Sequence, residues 1–120
     1  MYMQLLDQHR LSHIIDYCKR IHATIERFGN SYYSFVADED YQQSIAFSIL
    51  QIGELVAGLS DEYKESTKGK MPWQAIKAMR NIVAHGYGNI ELDVVWRTAF
   101  EDIPRLRAFC ECELHLMESE

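Results

Sequence analysis

The sequence is poor in the residues that break or cross-link a chain: 2 Pro, 6 Gly and 3 Cys among 120. So little Pro and Gly excludes a collagen-like or low-complexity chain. An odd number of cysteines serves a disulfide framework badly. Cys110 and Cys112 are two apart, about 200° around a helix, which suits neither a shared metal nor a mutual disulfide. All three, Cys18 included, read as small packing residues or incidental thiols. No apolar run approaches the ~20 residues of a bilayer span. Asp7, His9 and Arg10 interrupt the N-terminal stretch too early for a signal segment, so the cytoplasm is the expected compartment and no membrane contact is expected. An excess of positive charge is missing as well. Lys and Arg number 12 against 18 Asp and Glu, a net charge of −6, with a pI near 5.3. Broad, sequence-independent nucleic-acid binding needs a basic face to displace phosphate counterions, so any nucleic-acid contact here is local. There is no phosphate loop, no Cys-x2-Cys pair and no nucleophile elbow, and no cofactor is expected.

What is present is the balance of a globular domain: 48% hydrophobic and 25% charged residues. One domain over 1–120 fits that length, and it buries roughly two-thirds of the surface of the unfolded chain. Helical periodicity runs through most of it. Ile14, Cys18, Ile21, Ile25 and Phe28 step by fours and threes on a first helix from about Gln4, ended by Gly29-Asn30. A second helix, about Asp38 to Leu59, opens on three acids and carries Tyr41, Ile45, Ile49, Ile52, Val56 and Leu59 on one stripe. Its other side gathers Ala46, Phe47, Leu50, Gly53 and Ala57 around Glu54. A helix apolar on two faces is either central in its bundle or at a subunit interface. The polar stretch Ser60 to Lys70 reads as an exposed loop. Pro72 opens a third helix reaching about His85, with Ala75, Ile76, Met79, Ile82 and Val83 on one arc. Lys77, Arg80, Asn81 and His85 take the other arc. The last helix runs from about Glu91 to Met117 on Leu92, Trp96, Ala99, Ile103, Leu106 and Cys110, with a kink or break expected at Pro104. The pattern predicts an all-α antiparallel bundle of four main helices, five if Pro104 splits the last.

The polar chemistry concentrates at Arg80-Asn81-Ile82-Val83-Ala84-His85-Gly86-Tyr87. Asn81 and His85 are four apart and share a helix face. Arg80 lies about 140° from His85 around a regular helix, so one copy cannot close both on a single phosphate. Two copies meeting across a two-fold axis could pool two Arg and two His in one cleft. That set suits metal-free RNA cleavage. Histidine moves the proton of a 2′-hydroxyl, a guanidinium holds the phosphate, and Asn81 orients His85 or donates to a phosphate oxygen. The plain alternative for His85 is a helix C-terminal dipole partner. Glu54 on an apolar face is either a buried carboxylate that calls for a cation, with Arg80 the candidate, or a glutamate at an interface rim. His9 and His13 have metal-ligand spacing but lack a following carboxylate, so no metal site is assigned. Trp73 and Trp96 read as core.

The Arg80–Tyr87 stretch resembles the Arg-x4-His-x-Tyr motif of HEPN-domain toxins of the HepT type. Three further blocks in order resemble that family: Ile52-Gly53-Glu54, Pro72-Trp73-Gln74-Ala75-Ile76, and Val94-Val95-Trp96 with Glu101-Asp102-Ile103-Pro104. Gly88 departs from it, standing where many relatives carry a larger residue. The resemblance implies a HEPN-like helical homodimer and a ribonuclease cleft formed by paired motif helices. By that resemblance Arg80 and His85 would be catalytic with Asn81 assisting, and RNA would be the substrate; from their positions in the sequence, Glu54 and Lys77 are candidates for support. The expected partner is a small MNT-type nucleotidyltransferase antitoxin, which would attach AMP to Tyr87. A second reading stays open, a non-catalytic helical partner of such a transferase. A third is a purely structural dimeric bundle.

Overall fold

The first predicted stripe is realised along 27 residues: helix α1 spans Tyr2–Phe28 in the computed structural model, which describes residues 2–84 and 91–119. Leu11, Ile14, Cys18, Ile21 and Ile25 are buried along it. Gly29 ends the helix at φ 110°, a left-handed conformation that a side chain would strain. The Gly29 carbonyl accepts the Tyr41 hydroxyl at 3.0 Å, which ties this turn to the next long helix. A short helix, α2 (Tyr32–Ala37), comes first and buries Phe35 against Tyr41 and Trp96, with ring centroids 5.2 and 5.3 Å away.

Helix α3 (Glu39–Gly58) is capped by Asp38, whose carboxylate accepts the N–H groups of Asp40 and Tyr41 at 2.9 and 3.2 Å. Its predicted stripe, Tyr41, Ile45, Ile49, Ile52, Val56 and Leu59, is buried throughout. Within the chain, part of the second face is central. Here α3 packs most heavily on both α1 and α5, with Ala46 and Gly53 buried and Leu50 and Ala57 half-buried. Phe47 stays 52% exposed. The α1–α3 pair is antiparallel: Asp7 meets Ser60 near one end, and Thr24 Oγ1 lies 3.3 Å from Ser44 Oγ towards the other.

The stretch expected to be an exposed loop is largely helix α4 (Asp61–Ser66). Ser60 is its N-cap, with Oγ accepting the Tyr63 N–H at 3.1 Å. The buried Asp7 carboxylate accepts both the N–H and the hydroxyl of Ser60, at 2.8 and 2.6 Å. Buried Thr67 closes the segment.

Helix α5 covers Trp73–Ala84. Pro72 stands just before it and its carbonyl accepts the Ile76 N–H, so it caps the helix from outside instead of opening the first turn. The predicted end at His85 lies outside the described residues. The chain is then helical over α6 (Leu92–Arg97), a π-helical turn (Thr98–Asp102) and α7 (Ile103–Glu118). No break occurs at Pro104. The backbone stays right-handed helical on either side of the π turn, with Thr98 at φ −58°, ψ −50° and Ile103 at −63°, −43°. Proline has no N–H to donate four residues back, and the wider turn just before it absorbs that irregularity. With this run taken as one helix, the described residues form six helices instead of four or five, α2 and α4 being the additions. Helices α1, α3, α5 and α7 carry most of the packing. Among the described residues no helix is long and apolar enough to cross a membrane.

Candidate active site

The start of α5 is fixed by a relay of side chains. Trp73 is buried beside the rings of Tyr63 and Phe109, with centroids 6.1 and 5.6 Å away. Its indole Nε1 donates to Thr67 Oγ1 at 2.8 Å, and that hydroxyl donates to the Tyr63 carbonyl at 2.8 Å. The Tyr63 hydroxyl donates to Glu113 Oε1 on α7, also at 2.8 Å. Burial, and then the Glu113 carboxylate, push the Tyr63 phenol well above its usual range, so it remains a proton donor. The first turn of α5 is thereby pinned to α4 and α7 at once. The relay was not anticipated from sequence. Only the helix that carries Tyr63 had a local signal, Ser60-Asp61-Glu62, a cap residue followed by two acids.

From this anchor α5 runs back along α3. Trp73, Ile76 and Arg80 are spaced i, i+3 and i+7, so they share one stripe. Arg80 therefore faces α3 and is half-buried, not carried outward with Asn81 as the wheel suggested. Gly53 is what admits it. A Cβ on Gly53 would lie 2.8 Å from the Arg80 Cβ and 3.4 Å from its backbone nitrogen. Beside it, Arg80 Nη1 donates to Glu54 Oε1 at 3.1 Å. The two side chains are 30% and 57% exposed. The expected pairing is present, but Glu54 is not a buried carboxylate, because α5 covers Gly53 and leaves its neighbour at the rim.

Lys77 is half-buried one turn before Arg80, and Asn81 is exposed beside it. His85 and Tyr87 lie outside the described residues, as do Gly86 and Gly88. The structure thus brings Arg80, Glu54 and Gly53 together and places Lys77 and Asn81 on the adjoining turns of α5.

The other chemistry-bearing groups lie apart from this seam. His9 and His13 are exposed on α1 with their Nε2 atoms 3.1 Å apart. Among the described residues no cluster of three or more His, Cys, Asp or Glu forms a metal-binding group. Cys18 and Cys110 are buried as packing residues, whereas Cys112 is an exposed thiol. Burial pushes the Cys18 thiol from 9.0 to about 12 against the opposing pull of Arg107, and raises Cys110 further still. An apolar groove of about 470 Å³ runs between α1 and α7, and one of about 540 Å³ lies between α5 and α7. Neither is lined by Arg80, Asn81, Lys77 or Glu54.

The family described as ribonuclease HepT-like matches residues 14–113, a span that holds Gly53, Glu54 and Arg80. A protein of Caldanaerobacter subterraneus, provisionally named an RNase, is 34% identical over 97 residues, 80% of this chain and 83% of its own length. A Thermococcus cleftensis protein, provisionally named ribonuclease HepT, is 29% identical over 73 residues, 61% of this chain and 66% of its own. A further provisionally named RNase, from Methanocaldococcus jannaschii, is 25% identical over 88 residues, 66% of this chain and 80% of its own. No solved structure gives a significant match.

Proposed function

The chain belongs to the HepT-like ribonuclease family, and from that premise we propose that it is a metal-independent endoribonuclease, the toxin of a toxin–antitoxin pair. The observation that carries the reading is Arg80, a half-buried guanidinium held at the α3–α5 seam with 30% of its side chain open to solvent. In this reading Arg80 grips the scissile phosphate and stabilises the charge that develops on it. His85 takes the proton of the 2′-hydroxyl as that oxygen bonds to phosphorus. The bond from phosphorus to the 5′ oxygen breaks, and the leaving oxygen picks up a proton. Asn81 donates to a phosphate oxygen or orients His85. Lys77 adds a second cation within a turn of Arg80, and Glu54 supports Arg80 from α3.

A second copy of the chain would supply a second Arg80 and His85 to a shared cleft. Exposed Phe47, half-buried Leu50 and Glu54 share one side of α3 and support that pairing. Neutralisation is by an MNT-type nucleotidyltransferase antitoxin. The Tyr87 hydroxyl oxygen bonds to the α-phosphorus of ATP, pyrophosphate leaves and the hydroxyl proton passes to solvent. The attached phosphate and nucleoside fill the cleft and repel RNA.

Expression without the partner tests the toxin reading. The wild-type protein is expected to arrest growth, and His85→Ala to relieve the arrest at equal protein level. Undiminished arrest by His85→Ala overturns it. Intact mass after co-expression with the transferase tests the modification. The expected result is a gain of AMP that Tyr87→Phe abolishes. A stable complex with no mass gain would mean masking without AMP transfer, and it would favour the non-catalytic partner reading if the wild type is also harmless.

A further inference from the structure

We propose that Glu54 is a positioning residue for Arg80: it holds the guanidinium by one N–H and leaves the opposite donor edge for an RNA phosphate. The inference rests on the ribonuclease reading above and says how that site is aligned.

A guanidinium has five N–H donors, and it grips a phosphate best through two parallel ones. Glu54 takes one bond, from Nη1 to Oε1 at 3.1 Å. Nη1 lies on the Cδ side of the guanidinium, so the parallel pair formed by Nε and Nη2 stays outside that bond. An arginine side chain has four rotatable bonds and does not hold one direction unaided. Two consecutive residues of α3 supply the direction here. Gly53 meets the Arg80 Cβ at a depth that only a hydrogen atom permits, and Glu54 meets the far end. One therefore sets where the side chain starts and the other where it points.

The pair is poorly built as a stabilising device. Both partners reach solvent, with Glu54 57% exposed, and such ion pairs contribute little to folding. A carboxylate beside a phosphate site also repels the substrate. Its presence is understandable if alignment in the transition state matters more than ground-state affinity. That balance predicts a fall in kcat with no loss, or even a gain, in apparent affinity, which a merely structural residue would not produce.

The experiment measures kcat and KM on a single-stranded RNA for the full chain and its Glu54 variants, with thermal melting of each. Glu54→Ala is expected to lower kcat roughly ten- to a hundred-fold, the effect of a misplaced catalytic group. Its KM should be unchanged or lower. Glu54→Gln keeps an acceptor oxygen at the same reach and should retain kcat within about three-fold while lowering KM. Gly53→Ala, which displaces Arg80 without changing any charge, should lower kcat as Glu54→Ala does. Should Glu54→Ala fail to fold, Glu54→Asp decides in its place, since it keeps the charge but shortens the reach, and its kcat should fall. Unchanged or increased kcat in folded Glu54→Ala overturns the inference, an increase making Glu54 a competitor for Arg80. A Gln variant as impaired as the Ala variant also overturns it. His85→Ala separates the two levels. If that variant still cleaves, the ribonuclease reading fails. If it is inactive while Glu54→Ala matches wild type, only the positioning role fails.

Discussion

At Gly53 the two central helices approach so closely that a methyl group would press on the Arg80 Cβ at 2.8 Å, and this contact fixes where the guanidinium emerges. The Arg80–Glu54 pairing was legible in the sequence, because a carboxylate on an apolar face needs a cation and Arg80 was the candidate. Whether Glu54 is buried or stands at a rim was not decided by the sequence. A helical wheel gives the direction of a side chain but not the line at which the neighbouring helix stops covering it. For the same reason Arg80 was assigned to the outward arc, although its spacing from Trp73 and Ile76 places it at the edge of the covered stripe. The cysteines give a residue-scale prediction with a definite sign. The folded chain holds Cys18 protonated up to about 12, against 9.0 ordinarily. Above pH 9 the unfolded thiol loses its proton while the native one keeps it, so the unfolded state binds fewer protons and stability falls as pH rises. Stability from this group is fully present below pH 9, then falls by about 1.4 kcal/mol per pH unit between 9 and 12. Urea midpoints at pH 7, 8 and 10 should show a plateau followed by a drop. At pH 8 in the native protein a thiol reagent should modify exposed Cys112 and spare Cys18 and Cys110.

At the scale of elements, capping explains what periodicity could not reach. Asp38 accepts two N–H groups at the start of α3, and Asp38→Ala should cost about 1 kcal/mol, read as a lowered urea midpoint with unchanged denaturant dependence. A midpoint equal to wild type would mean that packing alone sets this boundary. The four long stripes were legible because each repeats over several turns and ends on a signal such as Gly29. Helices α2 and α4 were missed because six residues are fewer than two turns, too short for a 3.6-residue period to stand out. Helix α4 also hides behind a polar composition. Its stability comes from the Ser60 cap held by Asp7, a contact 53 residues away in sequence that no local pattern announces. The break expected as one outcome at Pro104 is absent for a different reason. Its missing donor does forbid a regular α-turn, but a π turn over Thr98–Asp102 keeps the chain helical at that point.

For the whole molecule, the acidic balance and the family assignment meet at one small surface. A chain of net charge −6 offers few cations for phosphate, and in the proposed site the α3–α5 seam supplies Arg80 with Lys77 nearby. A composite cleft requires two copies, so light scattering at micromolar concentration should return twice the mass of the 14.0 kDa chain. A monomeric mass would contradict the shared cleft. In the proposed mechanism this chain cuts RNA through Arg80 and His85 without a metal. Its most direct test is incubation of the purified protein, free of any partner, with a single-stranded RNA in the presence of a chelator. The wild-type chain is predicted to cleave, and Arg80→Ala and His85→Ala to be inactive at unchanged helix content. Cleavage by both variants at the wild-type rate, or none by the unmodified wild-type chain, would contradict the account.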